Sequence, residues 1–473
     1  MYADRVSAAA PNAPINPDAS PLRVLGLFDA TCIVIGAIIG VGIFISPSGV
    51  ARLTGTESLA LVAWGLAGGI ALCGALAMAE LGGMYHESGA QYQILRDSSG
   101  SLPAFLFVFC NGTAIQPGTM GIIAVVCANN LAVAAGRSEP QGWLLMAIAS
   151  ALILALAVAN IVGVRWGSRV QNLTVLTKVI ALLAVTVLAV FLAPDRAEVA
   201  AASTAPASAS ALNPLQGLLA ALIPALFAYG GWQQALWIAG EVREPARNLP
   251  RAIVGGVVIV IAVYLLANWS YLRLLGAPGV AESRAVAADA VSVVMPDLGR
   301  RLIAAAVAVS AFGVLNAQLL AGPRLIFGMA CDGRFFRPFA NLHPRLGTPT
   351  AAIALLTIMS LLILGAALAS GSTRPIDQLL NGTMFIDVTF FALTGIALIV
   401  LRRTRPDAAR PVRVPGYPIV PLLFVLGELG ALVGSMLNPE VRGAAIIGAI
   451  WIAAAALVYG LWFRNAASDQ RIV

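Results

Sequence analysis

Lysine is all but absent from this sequence. Lys178 stands alone beside 28 arginines in a chain of 473 residues. Charge of either sign is scarce: 11% of the residues are Asp, Glu, Lys or Arg, where a soluble domain carries roughly 25%. Apolar residues make up 59% and the mean hydropathy is +0.88, which excludes an ordinary soluble domain. His86 and His343 are isolated, with no acidic or cysteine cluster beside either, so neither a metal site nor a catalytic pair is implied. Cys32, Cys73, Cys110, Cys127 and Cys331 fall within or at the ends of long apolar runs, which leaves no disulfide framework to read. No P-loop occurs, which excludes ATP as an energy source. The sequence points to no enzyme and no cofactor.

What is present is a series of long apolar runs. A helix needs ~20 such residues to cross a hydrocarbon core of ~30 Å. Twelve runs qualify, at about 24–48, 58–82, 103–133, 142–163, 170–193, 213–240, 252–274, 302–331, 350–370, 376–402, 418–437 and 443–463. They far exceed the ~9–11 residues of a membrane barrel strand. The expected fold class is therefore an all-α polytopic membrane protein with 12 transmembrane helices in a lipid bilayer. A net charge of +7 and a pI near 9.5 could suit a nucleic-acid partner. The arginine distribution argues otherwise: with the N-terminus inside, inner segments hold 19 and outer segments nine. That is the positive-inside pattern, and it puts both termini in the cytoplasm. The loop "RRTRPDAARPVR" then reads as a topology anchor against anionic lipid. The start of the chain is polar and Ala/Pro-rich, without the apolar core of a cleavable signal, so the first span acts as its own insertion signal. Abundant Ala, Arg and Gly beside one lysine fit a bacterial codon bias, and hence a bacterial inner (plasma) membrane.

The expected units are an N-terminal tail (1–23), five spans (24–193), an Ala/Ser/Pro-rich outer linker (194–212) and five more spans (213–402). A cytoplasmic loop (403–417) and a final pair of spans with the C-terminal tail (418–473) follow. An odd number of spans per block makes the second block begin on the opposite side, as an inverted repeat requires. "ESRAVAADAVSVVMP", between spans 7 and 8, reads as a surface amphipathic helix.

The first span of each block is interrupted. Span 1 reads "GAIIGVGIFISPSG" and span 6 reads "LIPALFAYGGWQQALW". Glycine costs about 1 kcal/mol against alanine inside a helix. Opened backbone at membrane depth is tolerated only where it lines a cavity or packs on protein. Glycines spaced like Gly36 and Gly40 also serve close helix packing, but their recurrence in the first span of both blocks favours broken helices. Such breaks at matching positions point to a transporter substrate site. A half-helix N-terminus suits a carboxylate and freed carbonyls suit an ammonium. Two facing breaks can thus hold a zwitterionic α-amino acid without any buried side-chain charge.

Six strings, "GAIIGVGIFISPSG", "MAELGGMYHESGAQY", "VRWGSRVQNLTVLTK", "LFAYGGWQQALWIAGEVREPARNLPRAI", "FGVLNAQLLAGPRLIFGMACDG" and "HPRLGTPT", resemble the L-type amino acid transporter family. That family belongs to the amino acid–polyamine–organocation superfamily. The resemblance runs from about 25 to 430 and implies a LeuT-type fold, a 5+5 inverted repeat with discontinuous spans 1 and 6. It further implies that Ile38, Gly40, Val41 and Gly42 surround the substrate carboxylate. The carbonyls of Phe227, Ala228 and Gly230 would take the amino group, with Phe227 near the gate and Trp232 packed behind. Val41 stands where relatives often have Ser, so a hydroxyl contact is lost. Asp387 stands in span 10 where relatives tend to be neutral. The outer loop "LAVAAGRSEPQGW" lacks the cysteine by which animal members join a glycoprotein heavy chain, so no such partner is expected.

Lys178 lies about 12 Å into span 5 at 1.5 Å per residue, and a lysine at a span centre costs ~2.5–3.5 kcal/mol on insertion scales. Snorkelling towards the interface is one explanation. However, Gln171, Thr174 and Lys178 share one helix face, and a polar stripe should face the bundle. Sodium-coupled LeuT-type proteins hold sodium between spans 1 and 8. In many sodium-independent relatives a span 5 lysine puts its ammonium there, so by resemblance Lys178 stands in for the ion. Asp387 could carry a coupling proton, meet a distant base or face a vestibule. Glu80 and Glu241 read as structural partners of loop arginines.

The expectation is a sodium-independent secondary transporter of neutral L-amino acids, working by alternating access as exchanger or proton-coupled symporter. A cationic amino acid or polyamine transporter is the alternative that Asp387 keeps open. A non-transporting membrane amino acid receptor is the alternative of another class.

Overall fold

The structure is a computed structural model describing residues 23–138, 140–193, 213–283, 285–369, 375–437 and 439–463. Most of the expected N-terminal tail, the 194–212 linker and the end of the C-terminal tail lie outside the described residues. Among those described, every regular element is a helix, and the one β contact is an isolated parallel bridge between Leu25 and Val242. Ten helices are long and apolar enough to span a membrane. The bent pair Leu27–Ile38 and Gly42–Thr54 makes an eleventh, and the shorter apolar helix Thr350–Ala366 stands at the ninth expected position. Twelve spans are thereby accounted for.

Spans 2 (Glu57–Met84), 7 (within Pro245–Glu282) and 8 (Pro296–Cys331) form much of the interior, and the broken span 1 threads among them. Span 2 presents Ala60, Ala63, Ala67, Ala71 and Ala75 to its neighbours, all buried. Between membrane helices both sides of a contact are equally apolar, so small residues that allow close approach supply the packing. The outer spans leave Trp143, Phe191 and Leu461 exposed by about three-quarters, a pattern suited to lipid.

Three local features differ from the sequence reading or were absent from it. A helix, Ala90–Ser99, precedes span 3; its Tyr92 hydroxyl donates to Asp332 at 2.7 Å, and Arg96 pairs with the same carboxylate at 2.7 Å. Burial, then the Asp332 charge, hold that phenol well above its usual range. Span 3 is not a uniform α-helix: a wide π turn, Asn111–Ile115, separates Ser101–Cys110 from Gln116–Ala134. Pro117 cannot donate to the preceding turn and its ring crowds it. The wide turn relieves this, while the Asn111 and Thr113 side chains bond the carbonyls of Phe107 and Phe109. Between spans 7 and 8 the helical piece is short, Val286–Ser292. Its Val286, Ala287, Ala290 and Val291 are buried against spans 7 and 8.

The buried Glu80 joins span 2 to span 10 and the loop beyond. It accepts from Arg402 Nε at 2.9 Å, from Arg402 Nη2 at 2.5 Å and from the Val414 amide at 2.7 Å, with Arg410 Nε 3.3 Å away. Removing one partner of a buried pair leaves the other uncompensated, at a cost of about 3–5 kcal/mol. Glu80→Ala should therefore lower the thermal unfolding midpoint of the detergent-solubilised protein clearly. An unchanged midpoint would contradict this account of the inner end of the bundle.

Candidate substrate site at two facing helix breaks

Span 1 stops being helical at Ile39, whose φ/ψ of −71°/85° caps Leu27–Ile38, and it resumes at Gly42 with a 45° bend between the halves. The Gly40 amide turns back onto the Ile38 carbonyl at 2.7 Å. The amides of Gly42 and Ile43 open Gly42–Thr54 with no carbonyl of their own helix to bond, as at any helix start, whereas that of Phe44 bonds the Val41 carbonyl at 3.0 Å. Span 6 runs as Pro214–Tyr229, breaks at 230–233 and continues in the short helix Gln234–Trp237. Gly231 has φ 116°, a conformation that L side chains rarely adopt.

The two breaks touch. A Cβ on Gly231 would lie 2.5 Å from the Ala37 carbonyl oxygen, and one on Gly42 would lie 2.8 Å from Ala228 Cα. Both positions need glycine because main chain meets main chain there. Tyr264 of span 7, fully buried, ties the broken ends together: its hydroxyl lies 3.0 Å from the Ile38 carbonyl oxygen and 3.1 Å from that of Ala228. One hydroxyl hydrogen is thus shared between the two carbonyls.

On the far side of span 1, Lys178 is completely buried. Its ammonium donates to the carbonyl of Gly36 at 2.9 Å and of Ile39 at 2.5 Å. The Ser310 hydroxyl of span 8 reaches the Ile39 carbonyl at 3.2 Å. Gln171 and Thr174 are buried on the same face of span 5, and Gln171 accepts from Asn316 of span 8 at 3.2 Å. The ammonium therefore lies among spans 1, 5 and 8, on carbonyl oxygens that the break leaves without helical partners. Carbonyl oxygens are also the ligands by which channels hold alkali cations.

A cavity of about 280 Å³ opens beside the breaks, close to the lower end of the ~300–1,000 Å³ typical of small-molecule sites. It brings together Ile38, Gly40, Val41, Gly42, Phe227, Ala228, Gly230, Trp232 and Asp387, whereas Lys178 lies outside it. Phe227 turns into it, 37% exposed. Trp232 is buried, stacked on Phe391 at 5.6 Å and packed on Phe424 at 5.7 Å. Of the three carbonyls expected to take an amino group, that of Phe227 accepts the Gly230 amide at 3.2 Å and that of Ala228 accepts Tyr264. Each keeps a second lone pair. The cavity wall also includes Gln116, Gln318, Glu428 and Ser435, which the sequence reading did not single out.

The cavity extends towards the bundle end where span 6 begins and span 11 (Ile419–Leu437) finishes. The opposite end is shut. There the main chains of Leu25 and residues 241–243 bond at 2.9 and 2.8 Å, and Trp237 donates to Gln91 at 2.7 Å. Glu241 pairs with Arg324 at 2.9 Å, both almost fully buried. Its partner is thus a span 8 arginine and not a loop arginine, because the second half of span 6 packs against span 8.

A family model described as amino acid permease matches residues 25–462, nearly the whole chain. The chain belongs to the amino acid permease family. Its relatives place it on the L-type branch of the amino acid–polyamine–organocation superfamily. A serine/threonine exchanger, SteT, of Bacillus subtilis (strain 168) is 30% identical over 94% of this chain and 98% of its own length. The human large neutral amino acids transporter small subunit 2 is 32% identical over 85% of this chain and 74% of its own. The human b(0,+)-type amino acid transporter 1 is 32% identical over 85% and 80%. A permease of this family is a multi-pass membrane protein that transports amino acids and is not an enzyme.

In this permease Tyr264 carried no sequence signal, since an aromatic in a span reads equally as lipid contact or packing. Tyr264→Phe keeps the ring and removes only the hydroxyl bridge between the breaks. Uptake of labelled amino acid into proteoliposomes should fall at least about tenfold, the loss expected when two buried carbonyls forfeit their donor. Uptake at the wild-type rate would show that the bridge is dispensable.

Proposed function

We propose that this permease is a sodium-independent exchanger of neutral L-amino acids working by alternating access. The observation that carries the reading is the 280 Å³ cavity whose wall includes the residues of two facing breaks. The substrate carboxylate meets the opening amides of Gly42–Thr54, where the helix dipole favours negative charge. Ile38, Gly40, Val41 and Gly42 surround it, and with Val41 in place of a hydroxyl the backbone amides act alone. The α-amino group takes the carbonyls of Phe227, Ala228 and Gly230; that of Gly230 has no partner among the described residues. Phe227 acts as the gate and Trp232 backs the break.

Lys178 does the work of a bound sodium ion, tying span 5 to the opened stretch of span 1. Interrupted first and sixth spans support the 5+5 inverted-repeat division into 24–193 and 213–402, with spans 11 and 12 outside it. With both termini cytoplasmic in a bacterial plasma membrane, the shut end is the inner one and the conformation is outward-facing. Exchange is supported by the Bacillus subtilis relative, whose name describes an exchanger. The cysteine-free loop after span 3 supports a transporter that works without a heavy-chain glycoprotein.

The test is uptake of labelled amino acid into proteoliposomes holding either unlabelled amino acid or buffer, with sodium or choline outside. Internal amino acid should stimulate uptake and sodium should not. An inward proton gradient that stimulates uptake into buffer-filled vesicles would indicate symport, and no uptake under any condition would indicate a receptor. Lys178→Ala should lower exchange at least about tenfold, and Lys178→Arg should not restore it, because a planar guanidinium does not fit the space of a compact ammonium. Normal exchange by the Ala variant would remove Lys178 from the mechanism.

A further inference from the structure

The Lys178 ammonium reaches two carbonyl oxygens of span 1, so its place depends on how span 5 (Val164–Phe191) stands against its neighbours. Apolar packing does not fix that register. Leu173, Leu176, Ile180 and Val187 of span 5 are exposed, and apolar faces that suit lipid and protein alike select no single register. A slip of one residue moves the lysine about 1.5 Å along the axis and turns it about 100°. Such a move takes the ammonium away from Gly36 and Ile39, because hydrogen bonds to oxygen extend only to ~3.2 Å.

A buried polar seam on span 8 selects the register. Ser310, Gly313 and Asn316 are spaced three apart and follow one face of that helix. Ser310 donates to the Ile39 carbonyl, which also takes Lys178. Gly313 lies against Thr174, whose hydroxyl oxygen would be 2.5 Å from a Cβ placed there. Asn316, fully buried, donates to the Gly167 carbonyl at 2.8 Å and to Gln171 Oε1 at 3.2 Å. Its own oxygen accepts from Asn160 of span 4 (Gly142–Val162) at 3.0 Å. Both amide hydrogens and the oxygen of one side chain thus join spans 4, 5 and 8. Gln171 carries the constraint onward. A Cβ on Gly36 would run into its side-chain amide, so the glycine whose carbonyl takes Lys178 abuts the residue that Asn316 holds.

We infer that Asn316 is a positioning residue for transport, which sets the height and rotation of span 5 on span 8 and so keeps the Lys178 ammonium on the break. Asn316 does not line the cavity; it acts through Gln171 and the lower part of span 5. The inference rests on the reading of Lys178 as the stand-in for sodium. An apolar side chain at 316 removes all three hydrogen bonds at once, and little then distinguishes the working register from the next.

Lys178 is the only lysine in the chain, so reductive methylation with formaldehyde and borohydride reports on one side-chain amine. Mass spectrometry separates its peptide from the N-terminal one. The full-length wild type in proteoliposomes is compared with Asn316→Leu, which keeps the branch of asparagine without its polar atoms. Both are labelled well below their unfolding midpoints. Asn316→Leu should lower amino acid exchange, and raise the methylation rate of Lys178, each at least about tenfold. Ser360→Ala removes an equally buried polar group from the ninth span and should leave methylation at the wild-type rate. If it raises methylation as much as Asn316→Leu does, the effect is general loosening and the inference fails. A Lys178 as protected in Asn316→Leu as in the wild type, or exposed while exchange stays normal, overturns the inference and leaves the exchanger reading standing. A wild type that exchanges no amino acid overturns the exchanger reading and the transport role with it. Should Asn316→Leu not fold, Gln171→Met removes the acceptor of Asn316, and the same two measurements decide.

Discussion

The ammonium of Lys178 on the carbonyls of Gly36 and Ile39 is the constraint from which the rest of the site follows. Without a donor there, a helix opened in the middle of a membrane leaves oxygens unsatisfied, at several kcal/mol each. With it, the chain can stop being helical at Ile39 and restart at Gly42. That restart exposes the amides a carboxylate needs. The second break depends on the first: Gly231 packs on the Ala37 carbonyl, and Tyr264 spans Ile38 and Ala228. One buried cation thus sustains both breaks beside the cavity.

A surface of that kind divides the tasks of recognition. Main-chain groups cannot be altered by substitution, so in the proposed site they suit the part common to every substrate, and the side chains on spans 3, 8, 10 and 11 that complete the cavity are what can vary. Relatives named for serine and threonine, for large neutral amino acids and for a b(0,+)-type system share about a third of their residues with this chain. Such a division lets one scaffold carry different preferences.

Much of this was legible in the sequence, for identifiable reasons. Glycine and proline inside apolar runs are costly wherever they stand, so the breaks in spans 1 and 6 showed directly. A lone lysine on a face with Gln171 and Thr174 and a lone Asp387 in an apolar run showed for the same reason. Glu428 was just as improbable in "LGELG", yet span 11 carried no expectation of reaching the cavity. Tyr264 and the Glu241–Arg324 pair were out of reach, because they depend on which helices become neighbours. Where lipid and core are equally apolar, periodicity hardly says which face turns inward. The helix Ala90–Ser99 and the π turn before Gln116 were hidden in the same way, inside what read as one loop and one span.

The short main-chain bridge between Leu25 and Val242 also shapes how the molecule moves. It fastens the start of span 1 to the chain just past the shorter half of span 6, away from the cavity. Two rods riveted at their free ends cannot swing apart separately. Any opening on that side must carry the pair outward as one lever or unfasten the rivet first.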